Sequence, residues 1–183
     1  MATRLTGVVI RASDVRSLSE FWTKVLGADV VDCSDHYFGA PRNVLSPGLP
    51  AVMGDGWETR RRRDAGNDWL TVRLAAAGVV RLAEIDTLHY KGNAPGAASL
   101  SAIDARRASL ADASAWSVLL PRTPLRPDTP HRFRVDGPGL AGTEATHVRL
   151  DVFPDGGVAR LRLFGPLTAG GQAGLERRWR ETG

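Results

Sequence analysis

Short segments of alternating apolar and polar residues, separated by glycine and proline, constrain this fold most strongly. Residues 70–74 and 146–153 each place every second, apolar residue on one face, which is typical of half-buried strands. The loops between such segments are too short for the crossovers that parallel strands need. The pattern therefore predicts an all-β fold, an antiparallel jelly-roll β-sandwich. Further strands are predicted over 7–10, 79–89, 100–103 and 116–121, and over 131–135.

A turn sequence follows the alternating segment that ends near residue 153. Residues 154–157 read Pro-Asp-Gly-Gly, a composition that favours a tight hairpin turn. We therefore expect residues 158–164 to be a return strand, with Leu161 facing the core and Arg160 and Arg162 facing outward.

The N-terminal part has helical rather than strand spacing. Ser13 and Asp14 are residues that often cap helices, and apolar residues recur at helical intervals up to Gly27. This predicts a short N-terminal helix within a lead segment, 1–27, ahead of a jelly-roll domain, 28–183. A second, basic helix is predicted over residues 174–180.

Charge and cysteine content limit the classes of partner. The chain has 183 residues and a net charge of +4, with acidic residues interspersed among the arginines. This mixture argues against a nucleic-acid groove and is compatible with a small anionic ligand. Cys33 is the single cysteine, which fits a reducing, cytoplasmic location, and no apolar run is long enough to cross a membrane. We expect neither nucleic acid nor membrane as a partner.

The four histidines are not spaced as metal ligands usually are, so no metal site and no cofactor are expected. His131 opens a strand after a proline-rich turn and is interpreted as a structural residue. His89 and His147 lie among polar residues at strand ends, where either a structural or a functional role is open.

Residues 54–69 concentrate charge and tryptophan between glycines. If 57–63 is extended, Glu58, Arg60 and Arg62 share one face, because side chains alternate along a strand. These charges must then pair with one another or with a bound group. Composition alone favours a solvated basic turn.

Four ordered blocks carry a resemblance to a known family. They are 53–63 (MGDGWETRRRR) continued by 66–69, 85–93 (IDTLHYKGN), 119–125 (LLPRTPL), and 146–165, which ends in PDGGVARLRLFG. Together with the lead-in at 34–43, they resemble the allantoicases, the allantoate amidinohydrolases. The resemblance runs from about Leu26 to the C-terminus and implies a galactose-binding-like jelly roll, in agreement with the strand pattern.

The resemblance implies that a small anionic ureide, allantoate, is hydrolysed to ureidoglycolate and urea. Such a reaction needs a base and an acid that protonates the departing urea nitrogen. Glu58, His89 and Asp86 are the candidate catalytic residues. His89 shares two-residue spacing with Lys91 and Asn93, so an extended segment would present all three on one side.

The substrate needs an arginine for its carboxylate and donors for its ureido oxygens. The candidate substrate-binding residues are Arg60, Arg62, Lys91, Asn93, His147 and Asp155. Structural alternatives stay open for three candidates: Glu58 pairing with an arginine, Asp86 bracing a turn through Thr87, and Asp155 serving only the turn.

Allantoicases usually carry two such repeats, and this sequence has one. We therefore expect an active homo-oligomer in which a partner subunit replaces the second repeat. The alternatives are a non-catalytic, galactose-binding-like ligand-binding module derived from a single repeat, or a part of a longer protein.

Overall fold

A computed structural model of the protein describes residues 27–135 and 142–182. The predicted strand at 7–10 and the predicted N-terminal helix lie outside these residues.

The described residues form ten strands and one α-helix. The strands are β1 (Asp29–Cys33), β2 (Trp57–Glu58), β3 (Asp68–Gly78), β4 (Leu82–Asp86), β5 (Ala97–Ile103), β6 (Ser117–Pro124), β7 (Pro130–Arg134), β8 (Ala145–Phe153), β9 (Gly157–Val158) and β10 (Arg160–Phe164). The helix α1 spans Ala169–Thr182. Short 3-10 turns occupy Pro41–Leu45, Met53–Asp55 and Ala113–Ala115.

All strand pairs are antiparallel, which confirms the predicted all-β sandwich. One sheet has the order β1-β3-β8-β5-β6, a second has the order β10-β4-β7, and β2 pairs with β9. Apolar residues from the two larger sheets fill the space between them, including Leu70, Leu100 and Leu150 from one and Ile85 and Leu161 from the other.

The hairpin predicted at 154–157 is wrong. β8 pairs with β3 and β5, whereas β10 pairs with β4, so the turn carries the chain from one sheet to the other. Both β8 and β10 can bury their apolar faces although they lie in different sheets, because the two sheets share one core. The alternation itself is confirmed, since Leu161 belongs to that core.

Arg160 is only 2% exposed, although it was predicted to face solvent. The loop of residues 41–56 covers it. Its guanidinium donates to the backbone carbonyls of Asn43 (3.3 Å), Gly48 (3.3 Å) and Asp55 (2.7 Å). A buried arginine is tolerated where its donors are satisfied, so Arg160 fixes this loop against the sandwich.

The helix α1 is longer than the predicted 174–180. The Thr168 hydroxyl accepts a hydrogen bond from the Gly171 backbone N–H (2.9 Å), as a helix N-cap does. The backbone N–H of Thr168 donates to Ala77 O (3.0 Å), which ties the start of the helix to β3. Within the described residues, no helix is long and apolar enough to cross a membrane.

Candidate functional site

The structure brings Glu58 and Asn93 together at one end of the sandwich. The Asn93 side-chain amide donates to Glu58 Oε1 over 2.7 Å. Glu58 is held by main-chain hydrogen bonds with Phe38 in both directions, 2.8 and 3.1 Å. It also pairs with Gly157 between β2 and β9. The carboxylate is half-buried and its position is fixed from both sides of its strand.

Asp155 lies beside this pair and binds main chain. Its Oδ2 accepts the backbone N–H of Arg62 over 2.8 Å. Gly157, two residues after Asp155, donates its N–H to Asn93 O (2.9 Å), which places this segment against the Asn93 loop. Asp155 thus does more than serve its own turn, because its carboxylate holds the backbone of the segment that carries the arginines.

Arg60 presents its guanidinium at the same rim. Its backbone N–H donates to Asp35 Oδ2 (2.7 Å), and its guanidinium lies 5.5 Å from the centre of the Tyr37 ring. Within the part of the chain that the structure describes, no carboxylate forms an ion pair with Arg60. The side chain is therefore available to an anionic ligand, with the ring of Tyr37 to orient it.

Arg62 differs from Arg60, because protein carboxylates already bind its guanidinium, and its role as a substrate ligand stays a prediction. It donates to both oxygens of Asp64, over 2.9 and 3.0 Å, and to Asp68 Oδ1 over 2.8 Å. Hydrogen bonds to Asp64 and then to Asp68 raise the pKa of Arg62 above its ordinary value. Two protein carboxylates thus occupy the donors that a substrate carboxylate would need.

His89, Lys91 and Asn93 do not share one side of an extended segment as expected, because the chain turns at His89. His89 has a positive φ of 70°, and the Tyr90 N–H closes the turn on Thr87 O (3.0 Å). Lys91 is 3.9 Å from Asp128 Oδ2, with its side chain 78% exposed. Only Asn93 points to Glu58.

His89 itself is engaged elsewhere. Its Nε2 lies 3.0 Å from the carbonyl oxygen of Pro50, so this nitrogen carries the hydrogen. Its backbone N–H donates to Asp128 Oδ1 (2.8 Å). Within the described ranges 27–135 and 142–182, no hydrogen bond joins His89 to Glu58, and their assignment as an acid–base pair stays a prediction.

Asp86 is 1% exposed at the end of β4, and its Oδ2 is buried without a hydrogen-bond partner among the described residues. Its Oδ1 accepts the Leu88 N–H (2.8 Å), and its backbone oxygen accepts the Ala159 N–H (2.7 Å). A carboxylate enclosed in this way braces the turn. The burial and the Leu88 hydrogen bond are compatible with the structural alternative, and the catalytic role of Asp86 stays a prediction.

His147 is remote from the group, so the structure does not support it as a substrate ligand. It lies near the start of β8, where it pairs with Arg73 and Ile103. The strand ends beside the site at Phe153, six residues later, which corresponds to roughly 20 Å along a strand. Partial burial, and then the charge of Arg73, lower the pKa of His147.

Two residues beside Glu58 were missed by sequence reasoning. Tyr90 is fully buried and donates its hydroxyl to Met53 O (2.8 Å), and Met53 Sδ lies 3.3 Å from Asn93 Nδ2. Burial, and then the charge of Glu58, raise the pKa of Tyr90 well above its ordinary value, so the phenol stays protonated. The one available signal was the place of Tyr90 in the block 85–93, which carries the family resemblance.

Asp35 was missed as well, and its partners are distant in sequence. Its backbone oxygen accepts Trp57 Nε1–H (2.8 Å), and its carboxylate holds the backbone of Arg60. Asn93 is hydrogen-bonded to Glu58, and Arg60 follows Glu58 by two residues with its guanidinium over Tyr37, the neighbour of the Phe38 that pairs with Glu58. Among the described residues, no cluster of three or more His, Cys, Asp or Glu side chains is arranged to hold a metal ion.

The family model and the curated relatives both identify the allantoicase family. A family model described as the allantoicase repeat matches residues 19–168. A probable allantoicase from Nocardia farcinica is 50% identical over 141 residues, covering 77% of this chain and 40% of the relative.

Solved structures agree with the sequence relatives. The crystal structure of allantoicase from Saccharomyces cerevisiae is similar with a TM-score of 0.68 and 30% identity, over 77% of this chain and 41% of that one. A carbohydrate-binding module of a Clostridium perfringens glycoside hydrolase is similar with a TM-score of 0.55 and 13% identity, over 82% and 98%. This second likeness concerns the fold alone. The chain thus spans about 40% of the length of the curated relatives it matches.

Proposed function

This chain belongs to the allantoicase family, and we propose that it hydrolyses allantoate to ureidoglycolate and urea. The observation that carries the proposal is the Glu58–Asn93 hydrogen bond, with the guanidinium of Arg60, two residues after Glu58, over the ring of Tyr37. Allantoate offers a carboxylate for the cation and ureido N–H groups for the acceptors. We assign Arg60 to the carboxylate, and Asn93 to the orientation of both Glu58 and a ureido group.

Glu58 is the base in this proposal. It takes a proton from water as the oxygen adds to the central carbon, and the bond from that carbon to one ureido nitrogen breaks. The same carboxyl group then gives its proton to that nitrogen, so that neutral urea leaves and the central carbon keeps the hydroxyl group. One residue thereby acts first as base and then as acid, which removes the need for His89 as a second group.

Urea release from allantoate by the purified chain tests the proposal. Glu58→Gln is the decisive variant, because it keeps the shape and the hydrogen bond from Asn93 but cannot take up a proton. Arg63→Ala is its matched control, since Arg63 is exposed on the same segment and has no part in the proposed site. Urea release that survives Glu58→Gln unchanged would refute the assignment of the base.

A non-catalytic ligand-binding module is the second candidate. The fold likeness to the carbohydrate-binding module favours it, because such sandwiches also present ligands at the ends of their strands. Calorimetry separates the two functions: allantoate that binds with no urea released indicates the module. In either case we propose a small anionic ureide as the ligand, a homo-oligomer as the functional form and the cytoplasm as the location.

A further inference from the structure

Two residues in the left-handed backbone conformation are hydrogen-bonded to each other. Among the described residues, His89 (φ 70°) and Asp128 (φ 51°) are the non-glycine residues with positive φ. They lie 39 positions apart, and the backbone N–H of His89 donates to Asp128 Oδ1 over 2.8 Å. This conformation is unfavourable for residues with a Cβ and persists where the surrounding structure imposes it, often at functional sites.

Further contacts join the neighbours of these two residues. Residues 126–129, which we call the clasp, lie against the turn that follows β4. The hydroxyl oxygen of Thr87, a fully buried residue, accepts the Thr129 N–H (3.1 Å). The Thr87 N–H donates to Thr129 O (3.1 Å), and the Asp128 N–H donates to Tyr90 O (3.2 Å). The clasp therefore holds the turn at both of its ends.

The turn after β4 directs the chain to the candidate site. Tyr90 donates its hydroxyl to Met53 O (2.8 Å), and three residues later Asn93 donates its side-chain amide to Glu58 Oε1 (2.7 Å). With an extended conformation at His89, the following residues would continue along the direction of β4 instead of turning. The conformation at His89 therefore decides whether Asn93 reaches Glu58.

The hydrogen bond to the His89 backbone is the main contact of the Asp128 carboxylate. Its other oxygen, Oδ2, is 3.9 Å from Lys91 Nζ, but the Lys91 side chain is 78% exposed, and exposed ion pairs contribute little. What the turn needs at position 128 is thus an acceptor for the His89 N–H on a residue that tolerates positive φ. Asparagine meets both conditions without the charge.

We propose that Asp128 is a positioning residue, which holds His89 in the left-handed conformation and thereby directs Asn93 to Glu58. The consequence for catalysis rests on the proposed function, in which Glu58 is the base. The orientation of the Asn93 side chain does not rest on it. Asp128 has no assigned contact with the substrate, so its removal should change turnover only through Asn93.

A double-mutant cycle on urea release tests the catalytic part. Asp128→Gly removes the carboxylate and keeps a residue that adopts positive φ without strain, so the variant should fold. It should lower the turnover number by about 10-fold, because the catalytic group is misplaced. It should have no further effect when Asn93→Ala is already present. Asp128→Asn, which keeps the acceptor, should restore the turnover of the wild type.

Asp112→Gly is the matched control for the loss of a loop carboxylate. Asp112 Oδ1 accepts the Ser114 N–H (2.9 Å) in the connection between β5 and β6, away from the clasp. The variant should leave turnover unchanged.

The side-chain amide of Asn93 provides a readout that needs no activity. In the nitrogen-15-labelled protein, its resonances are assigned by their loss in Asn93→Ala, and Glu58→Ala gives their positions without the carboxylate. Asp128→Gly should move them toward the positions seen in Glu58→Ala. Asp128→Asn and Asp112→Gly should leave them where the wild type has them.

The outcomes separate the positioning role from the proposed function. Asn93 resonances that Asp128→Gly leaves unchanged overturn the positioning role, whether or not urea is released. So does a loss of turnover that is equally large with and without Asn93→Ala, since Asp128 then acts on the protein as a whole. A wild type that releases no urea removes the proposed function, and resonances that shift as expected then still support the positioning role.

Discussion

Asn93 donates its side-chain amide to Glu58 Oε1 over 2.7 Å, although the two residues are 35 positions apart in the chain. If Glu58 is the base, Glu58→Gln should lower the turnover number for urea release by about 10²-fold or more, the usual scale for general acid–base catalysis. Asn93→Ala should lower it by less, because it disturbs only the orientation of the carboxylate. Unchanged circular dichroism and melting temperature are the controls for folding.

Arg60→Ala should weaken allantoate binding much more than Arg63→Ala does. The loss of a charge-assisted contact to the substrate carboxylate costs about 2 kcal/mol, roughly 30-fold in KM. Steady-state kinetics measure both values. Equal KM values for the two variants would show that Arg60 does not contact the substrate.

Arg62→Met should lower the melting temperature by several degrees rather than raise KM. The variant leaves Asp68, which is 2% exposed, without its cationic partner. Unpaired buried carboxylates destabilise folded proteins, so Arg62→Met combined with Asp68→Asn should recover part of the loss. A double variant no more stable than the single one would contradict the pairing.

Gly157→Ala should destabilise the protein, because a Cβ at this position would lie 1.9 Å from Cε1 of Tyr90. Overpacking of this kind typically costs about 1–3 kcal/mol. Gly170→Ala is the matched control in α1, where nothing lies within 4 Å of the added carbon and alanine favours the helix. Chemical denaturation of both variants gives the two free energies of unfolding.

His147 should make stability depend on pH in the acid range. Its pKa in the folded state is lowered, so folding favours the neutral imidazole. The unfolded chain binds the proton more readily, and stability is therefore complete above about pH 6.5 and falls as the pH drops through the folded-state pKa. His147→Gln should flatten this fall in urea-denaturation curves measured from pH 7.5 to 5, while a curve identical to the wild type would exclude His147 as the source.

The sandwich was predictable because its signals are local. Alternation along 70–74 and 146–153 fixes which face of each strand is buried, whatever the strand pairs with. The partner strands were not predictable in the same way. The glycines and the proline of 154–157 correctly mark the end of β8, but whether the chain then joins a neighbouring strand or crosses to the second sheet depends on contacts with β3 and β4, which lie far away in sequence.

The site was predictable only in part, for a related reason. Two-residue spacing in 89–93 implies one shared side only if the chain is extended, and the turn at His89 removes that condition. The ion pairs of Arg62 with Asp64 and Asp68 did have a local signal in the sequence, because both carboxylates follow Arg62 within six residues. The contact between Asn93 and Glu58 has no signal in a single sequence beyond the family resemblance.

The anchoring of the 41–56 loop by Arg160 has a consequence for how this surface can diversify. The three acceptors from the loop are main-chain carbonyls, a group that every amino acid supplies. Replacement of the loop's side chains therefore leaves the anchor intact, provided that the loop keeps its length and path. Related proteins can acquire a different ligand preference or a different contact partner here by point substitution alone, with the scaffold beneath inherited unchanged.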